Sequence, residues 1–148
     1  MQTFVPFTCD EQVELIGSSF LSLTLPKSSW THAAHFATAL WLLSCHPELE
    51  LDVPAAMPNM IRAYNEATGV ANTDTSGYHE TITQASIRAA RAFLSHRPTN
   101  SLFVTCNDLM SSPLGRTDWI LSYWSRERLF CAEARRTWVE PDLGPIPF

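Results

Sequence analysis

The residues of this chain whose types and spacing can do chemistry are His32 and His35 in WTHAAH, and His79 followed at once by Glu80 in NTDTSGYHETIT. Neutral imidazole is the commonest protein ligand for divalent transition metals, and three ligands beside an open position is the usual layout of a catalytic zinc site. His32 and His35 stand three residues apart. On a helix that spacing separates them by roughly 60°, so one ion can be gripped from one face. His79 would supply the third ligand from a second helix. Glu80 lies about 100° further round. Its expected role is general base on a metal-bound water, or a hydrogen-bond partner that orients a ligand. Tyr78 is the other catalytic candidate. Asp74, in the same loop, would make a two-histidine, one-carboxylate set and favour non-haem iron. His-Glu-Thr-Ile-Thr is not the H-E-x-x-H zinc-protease motif, because Thr83 stands where the second histidine belongs.

The expectation from these residues is a small metalloenzyme holding one divalent metal (zinc, iron, nickel, manganese or copper) through His32, His35 and His79. Hydrolysis, hydration or isomerisation of a small molecule follows from a metal-activated water or a Lewis acid. Iron or copper with dioxygen gives an oxygenase as the alternative. A different class stands beside both: a non-catalytic helical binding module whose histidines are buried and hydrogen-bonded for packing. Glu80 likewise has a plain reading. An acidic residue in a first helical turn suits the helix dipole, and with Gly77 as N-cap Glu80 would close back on it.

The elements that must position these residues are helices. Thr8-x-x-Glu11 reads as a capping box before a first helix over about 9–24, with Val13, Ile16, Phe20 and Leu23 as its apolar stripe and Pro26 beyond it. Ser28 or Ser29 caps a second helix running to about His46, where Pro47 stops it. This helix is apolar nearly all round, as a central helix is, and places His32 and His35 in the interior. A third helix runs from about Pro54 to Gly69 with Met57, Met60, Ile61 and Tyr64 inward. Residues 70–76 form a loop. The fourth helix covers about Gly77 to Ser95, with His79 inward and Arg88 and Arg91 solvated. Short helices are expected over about 101–110, 116–124 and 131–138. The tail EPDLGPIPF is too rich in proline for a helix and runs extended, with Ile146 and Phe148 tucked in. Trp119, Trp124 and Trp138 read as packing residues. The fold class is all-α, a compact bundle of about four core helices in a single domain over 1–148.

The 148 residues suit one core, and the net charge of -5 leaves no basic surplus for nucleic acid. The uncharged stretch 28–47 is interrupted by His32, His35 and His46, so a buried helix fits it better than a membrane span. The N-terminus lacks the basic start and apolar run of a signal peptide. Cys9, Cys45, Cys106 and Cys131 form no C-x-x-C pair. Reduced cysteines in a cytoplasmic protein follow. The expected partner is a small-molecule substrate, without nucleic acid or membrane; oligomeric state stays open, a homodimer included.

WTHAAH at 30–35, IRAYNEATG at 61–69, NTDTSGYHETIT at 72–83, RLFCAEAR, and the closing VEPDLGPIPF together resemble a family of small all-helical proteins of about this length with no assigned activity. The resemblance covers most of the chain. It implies a stand-alone domain with the histidine-bearing blocks as one unit, and it implies no substrate, metal or mechanism.

Overall fold

The computed structural model describes residues 4–45 and 51–148, with Cys45 described by its backbone alone. Among these residues are seven α-helices and no strand: α1 (Asp10–Leu21), α2 (His32–Cys45), α3 (Val53–Ala67), α4 (Glu80–Ser95), α5 (Leu102–Ser111), α6 (Arg126–Leu129) and α7 (Ala132–Arg136). The all-α class is as the sequence indicates. Helix α2 is the central element and packs against α1, α3, α4 and α5. It is uncharged and apolar on most sides, and Ala34 and Phe36 to Leu42 are all buried. No helix of the described residues is long and apolar enough to cross a membrane.

Close approach of α1 to α2 depends on Gly17, where an added Cβ would meet the Trp41 ring at 2.2 Å. Val13 and Phe20, one turn to either side, are fully buried. The cap expected from Thr8 and Glu11 is not formed. Cys9 is the N-cap, without a side-chain bond, and the register is displaced by one residue, so that Gln12 Oε1 accepts from the Thr8 backbone N–H at 2.8 Å. Leu23 lies beyond the helix in the left-handed region (φ 63°) and is exposed, so it is no part of the apolar stripe.

Ser28 and Ser29 do not cap α2. They belong to a 3₁₀ turn at Lys27–Ser29, and Thr31 Oγ1 accepts from the Ala34 N–H instead. Trp30 therefore precedes α2. Its ring stacks on Phe20 at 4.5 Å and lies 4.0 Å from the His35 ring. The expected stop at His46–Pro47 lies outside the described residues.

Helix α3 carries Pro58 in its interior, which removes one donor and frees the carbonyl four residues back. That carbonyl, Pro54 O, accepts from Gln84 Nε2 of α4 at 2.9 Å. One side chain thus repairs the proline defect and joins two helices. Met57 and Tyr64 are buried as expected, and the Tyr64 hydroxyl donates to Leu25 O at 2.9 Å. Gly69 (φ 81°) ends the helix.

Helix α4 begins at Glu80, later than Gly77, with His79 as N-cap. Thr81, fully buried, donates to Thr137 O at 2.9 Å and accepts from the Val139 N–H at 3.2 Å, which holds the last segment against α4. In place of a helix over 116–124 there are 3₁₀ turns at Pro113–Gly115 and Trp119–Ser122. α6 was not foreseen. Trp124 is fully buried with its indole N–H on Val139 O. The tail is extended, and Phe148 packs at 5.9 Å from Trp119.

Candidate functional site

The loop that opens the fourth helix is held from every side. Asn72 Oδ1 accepts from Asn65 Nδ2 and from the Tyr78 N–H, while Asn72 Nδ2 donates to Arg62 O. Arg135 donates to the carbonyls of Gly77 and Tyr78. Asp74 forms a two-pronged ion pair with Arg136, which holds its carboxyl below the usual range. Both Asp74 oxygens are engaged by the guanidinium, so the expected alternative ligand serves as a loop anchor.

His79 is 7% exposed, inward as expected, and both ring nitrogens are in use. Nε2 lies 2.8 Å from Leu129 O, a group that only accepts, so Nε2 carries the proton. Nδ1 is then the acceptor for the Ile82 N–H at 3.2 Å and caps α4. The neutral tautomer satisfies one helix donor and one buried carbonyl. Desolvation lowers the His79 pKa, and this outweighs the hydrogen bond that the ring donates to Leu129 O, which favours the charged ring. Tyr78 donates a short hydrogen bond to Glu80 Oε2. Burial, then the Glu80 carboxylate, push the phenol upward. The Arg62 guanidinium lies over the Tyr78 ring at 4.3 Å.

His32 and His35 stand in a different environment. They line a cavity of about 280 Å³ with Phe36, with Ile82 and Ser86 of α4, with residues 117–121, and with Arg126 and Phe130. Neither Tyr78, His79 nor Glu80 lines it. His32 is half-buried and His35 exposed on the cleft side, whereas the sequence placed both in the interior. The reason is the irregular segment 113–122: it covers only part of this face of α2 and leaves an opening. His32 Nε2 lies 2.8 Å from Leu114 O, so this nitrogen holds the proton and Nδ1 is left as an acceptor. Neither ring nitrogen of His35 has a protein partner among the described residues. The protein around His35 lowers its pKa, and a charge on His32 lowers it further. Its open edge tempers that shift without reversing its sign, so the ring is neutral at pH 7.

A second cavity, about 320 Å³, is lined by residues of the segment 113–123 and shares Asp118, Trp119 and Leu121 with the first. Asp118 is exposed, with both carboxylate oxygens on Arg116 at 3.0 and 3.2 Å.

The structure therefore brings His32 and His35 together and does not bring His79 to them. Phe130, whose ring is 6.4 Å from that of His79, forms the cleft wall on that side. No group of three or more His, Cys, Asp or Glu among the described residues is arranged to hold a metal ion. The residues that sequence reasoning missed are Arg126, Phe130 and the cleft-facing role of Trp119. They lie in the irregular last third, where no periodicity marks a face. No family model, curated protein or solved structure matches the chain.

Proposed function

We propose that the cleft at His32 and His35 is the functional site, that it binds a small organic molecule, and that Tyr78, His79 and Glu80 serve the fold. The observation that carries this reading is the set of imidazole nitrogens on the cleft wall that no protein group among the described residues engages: His32 Nδ1 and both nitrogens of His35. These nitrogens are open to the cleft and not sealed in the core; among the described residues the one buried side-chain polar atom without a partner is Thr38 Oγ1. Histidines left open beside aromatic walls are what a binding cleft with a few convergent polar groups requires. A neutral His35 also has the lone pair needed to take a proton from a ligand. The protein is read as a cytoplasmic one with a small-molecule partner. A fragment library screened by NMR, with the imidazole rings observed, tests the reading. Saturable shifts at His32 and His35 that vanish in His35→Ala support it; hits confined to other surfaces sink it.

A metal-dependent version remains on the same wall in reduced form. His32 and His35, at helical i, i+3 spacing with open nitrogens, would supply two imidazoles, and water or a substrate atom the remaining positions. Lewis-acid chemistry, or dioxygen chemistry with iron or copper, follows as before. Elemental analysis of protein purified without added metal or chelator decides it. Near-stoichiometric metal that disappears in His32→Ala and stays in His79→Ala is the expected pattern; metal that depends on His79 would restore the three-histidine set.

A further inference from the structure

Resting on the reading of the cleft as a small-molecule site, we infer that its ligand is a single-ring aromatic carboxylate carrying a hydrogen-bond donor at its other end. The cleft has one uncommitted charge. The Arg126 guanidinium makes no ion pair among the described residues, whereas Arg97, Arg116, Arg128 and Arg136 each have an acidic partner. Asp118, the one acidic residue on the wall, is matched by Arg116, so the surplus at the cleft is a single positive charge. Arg126 lies close enough to Asp118 to lower its pKa, a small contribution after those of Arg116. A planar guanidinium free at the edge of an apolar cavity fits a carboxylate through two parallel hydrogen bonds.

The walls set the body of the ligand. Phe36, Trp119, Phe130 and Ile82 are apolar, and rings of this kind favour an aromatic guest by edge and offset contacts. The cavity of about 280 Å³ is at the small end of ligand pockets, which suits one ring. The histidines set the other end. His32 donates to Leu114 O, so its open Nδ1 accepts; a neutral His35 accepts at one nitrogen. A phenol hydroxyl or an amine on the guest supplies the matching donor. Phosphorylated ligands fit less well, since one guanidinium leaves the second phosphate charge unmatched.

The test compares 4-hydroxybenzoate with the neutral 4-hydroxybenzamide on the full chain, by titration followed through the His35 imidazole and Trp119 indole signals. The acid is expected to bind at least about tenfold more tightly, and Arg126→Gln to remove that preference while the amide's affinity stays the same. Arg126 is exposed and its side chain makes no hydrogen bond or ion pair among the described residues, so the variant is expected to keep the wild-type melting temperature. Equal affinity for acid and amide, or an acid preference that survives Arg126→Gln, overturns the carboxylate inference and leaves the cleft standing. Failure of both probes at millimolar concentration, where fragments of other chemistry do shift His35, overturns the ligand class. If no fragment at all reaches His35, the failure belongs to the cleft reading itself.

Discussion

The two histidine-bearing regions of the molecule differ in how many of their polar atoms are already engaged. At the start of α4, His79 uses one nitrogen to cap the helix and the other to meet Leu129 O, and Tyr78, Glu80, Asp74 and Asn72 are each held by named partners. On α2, His32 uses one nitrogen, and His35 uses none among the described residues. Residue type does not separate the two regions, and neither does helical position, since His79 caps α4 and His32 and His35 lie in the first turn of α2. Hydrogen-bond saturation separates them. A saturated histidine has no ring nitrogen left to offer, whereas an open one beside a cavity has.

The largest expected effect is on stability, and it has opposite expectations in the two regions. His79→Ala removes a helix cap and strands a buried carbonyl, which together cost about 2–4 kcal/mol. His35→Ala removes an exposed ring with no hydrogen bond among the described residues and costs less than about 1 kcal/mol, most of it the packing on Trp30. Urea denaturation of the two variants measures both. Equal losses would mean that His35 is as structural as His79, and the comparison would break.

The sequence carried one half of this contrast. Alternation at helical period placed His79 inward, and the structure agrees at 7% exposure. What it could not carry is the identity of the partners. Leu129 O lies 50 residues from His79 and Leu114 O lies 82 residues from His32. Both acceptors are backbone carbonyls, which leave no side-chain signature to read. The start of α4 was displaced for a related reason: Gly77 looked like a cap, but its positive φ (79°) belongs to the loop, and a histidine ring does the capping. The interior placement of His32 and His35 followed from the apolar character of α2 and would hold if a regular helix covered that face. The 3₁₀ turns at Pro113–Gly115 and Trp119–Ser122 cover it incompletely. Helices α1 to α5 were legible from their apolar periodicity, although the caps expected for α1, α2 and α4 are not the ones formed; the cleft was not, because it is made where that periodicity runs out.

Acid sharpens the comparison through sign. The folded-state pKa of His79 is lowered, chiefly by desolvation. A group depressed in the folded state contributes its stability above its unfolded value, about 6.5, and loses it as pH falls from there toward the folded value. Protonation would also turn Nδ1 into a donor facing the Ile82 N–H. Wild-type stability is therefore expected to decline as pH falls below about 6.5, and His79→Ala to flatten that decline. The depressed carboxylates, Asp74, Asp118 and Asp142, act lower, below about pH 5, because their unfolded values lie near 4. His35 is also depressed, but its open edge reduces its share, so His35→Ala flattens the profile less. A profile flattened more by His35→Ala would place the more strongly constrained imidazole in the cleft.

The smallest expected effect concerns the residues that the sequence first marked as catalytic. Tyr78→Phe removes the hydrogen bond to Glu80 and keeps the ring under Arg62, since phenylalanine offers the guanidinium a similar face. Glu80 is half-buried and its freed oxygen can reach water, so the cost is under about 1 kcal/mol. Because neither residue lines the cleft, ligand affinity measured at the His35 ring should not change. The same variant separates structure from chemistry. If Tyr78 and Glu80 moved protons for a bound ligand, losing the phenol would alter affinity or turnover at constant stability. An affinity change in Tyr78→Phe as large as that in His35→Ala would join the two regions into one site and undo their contrast.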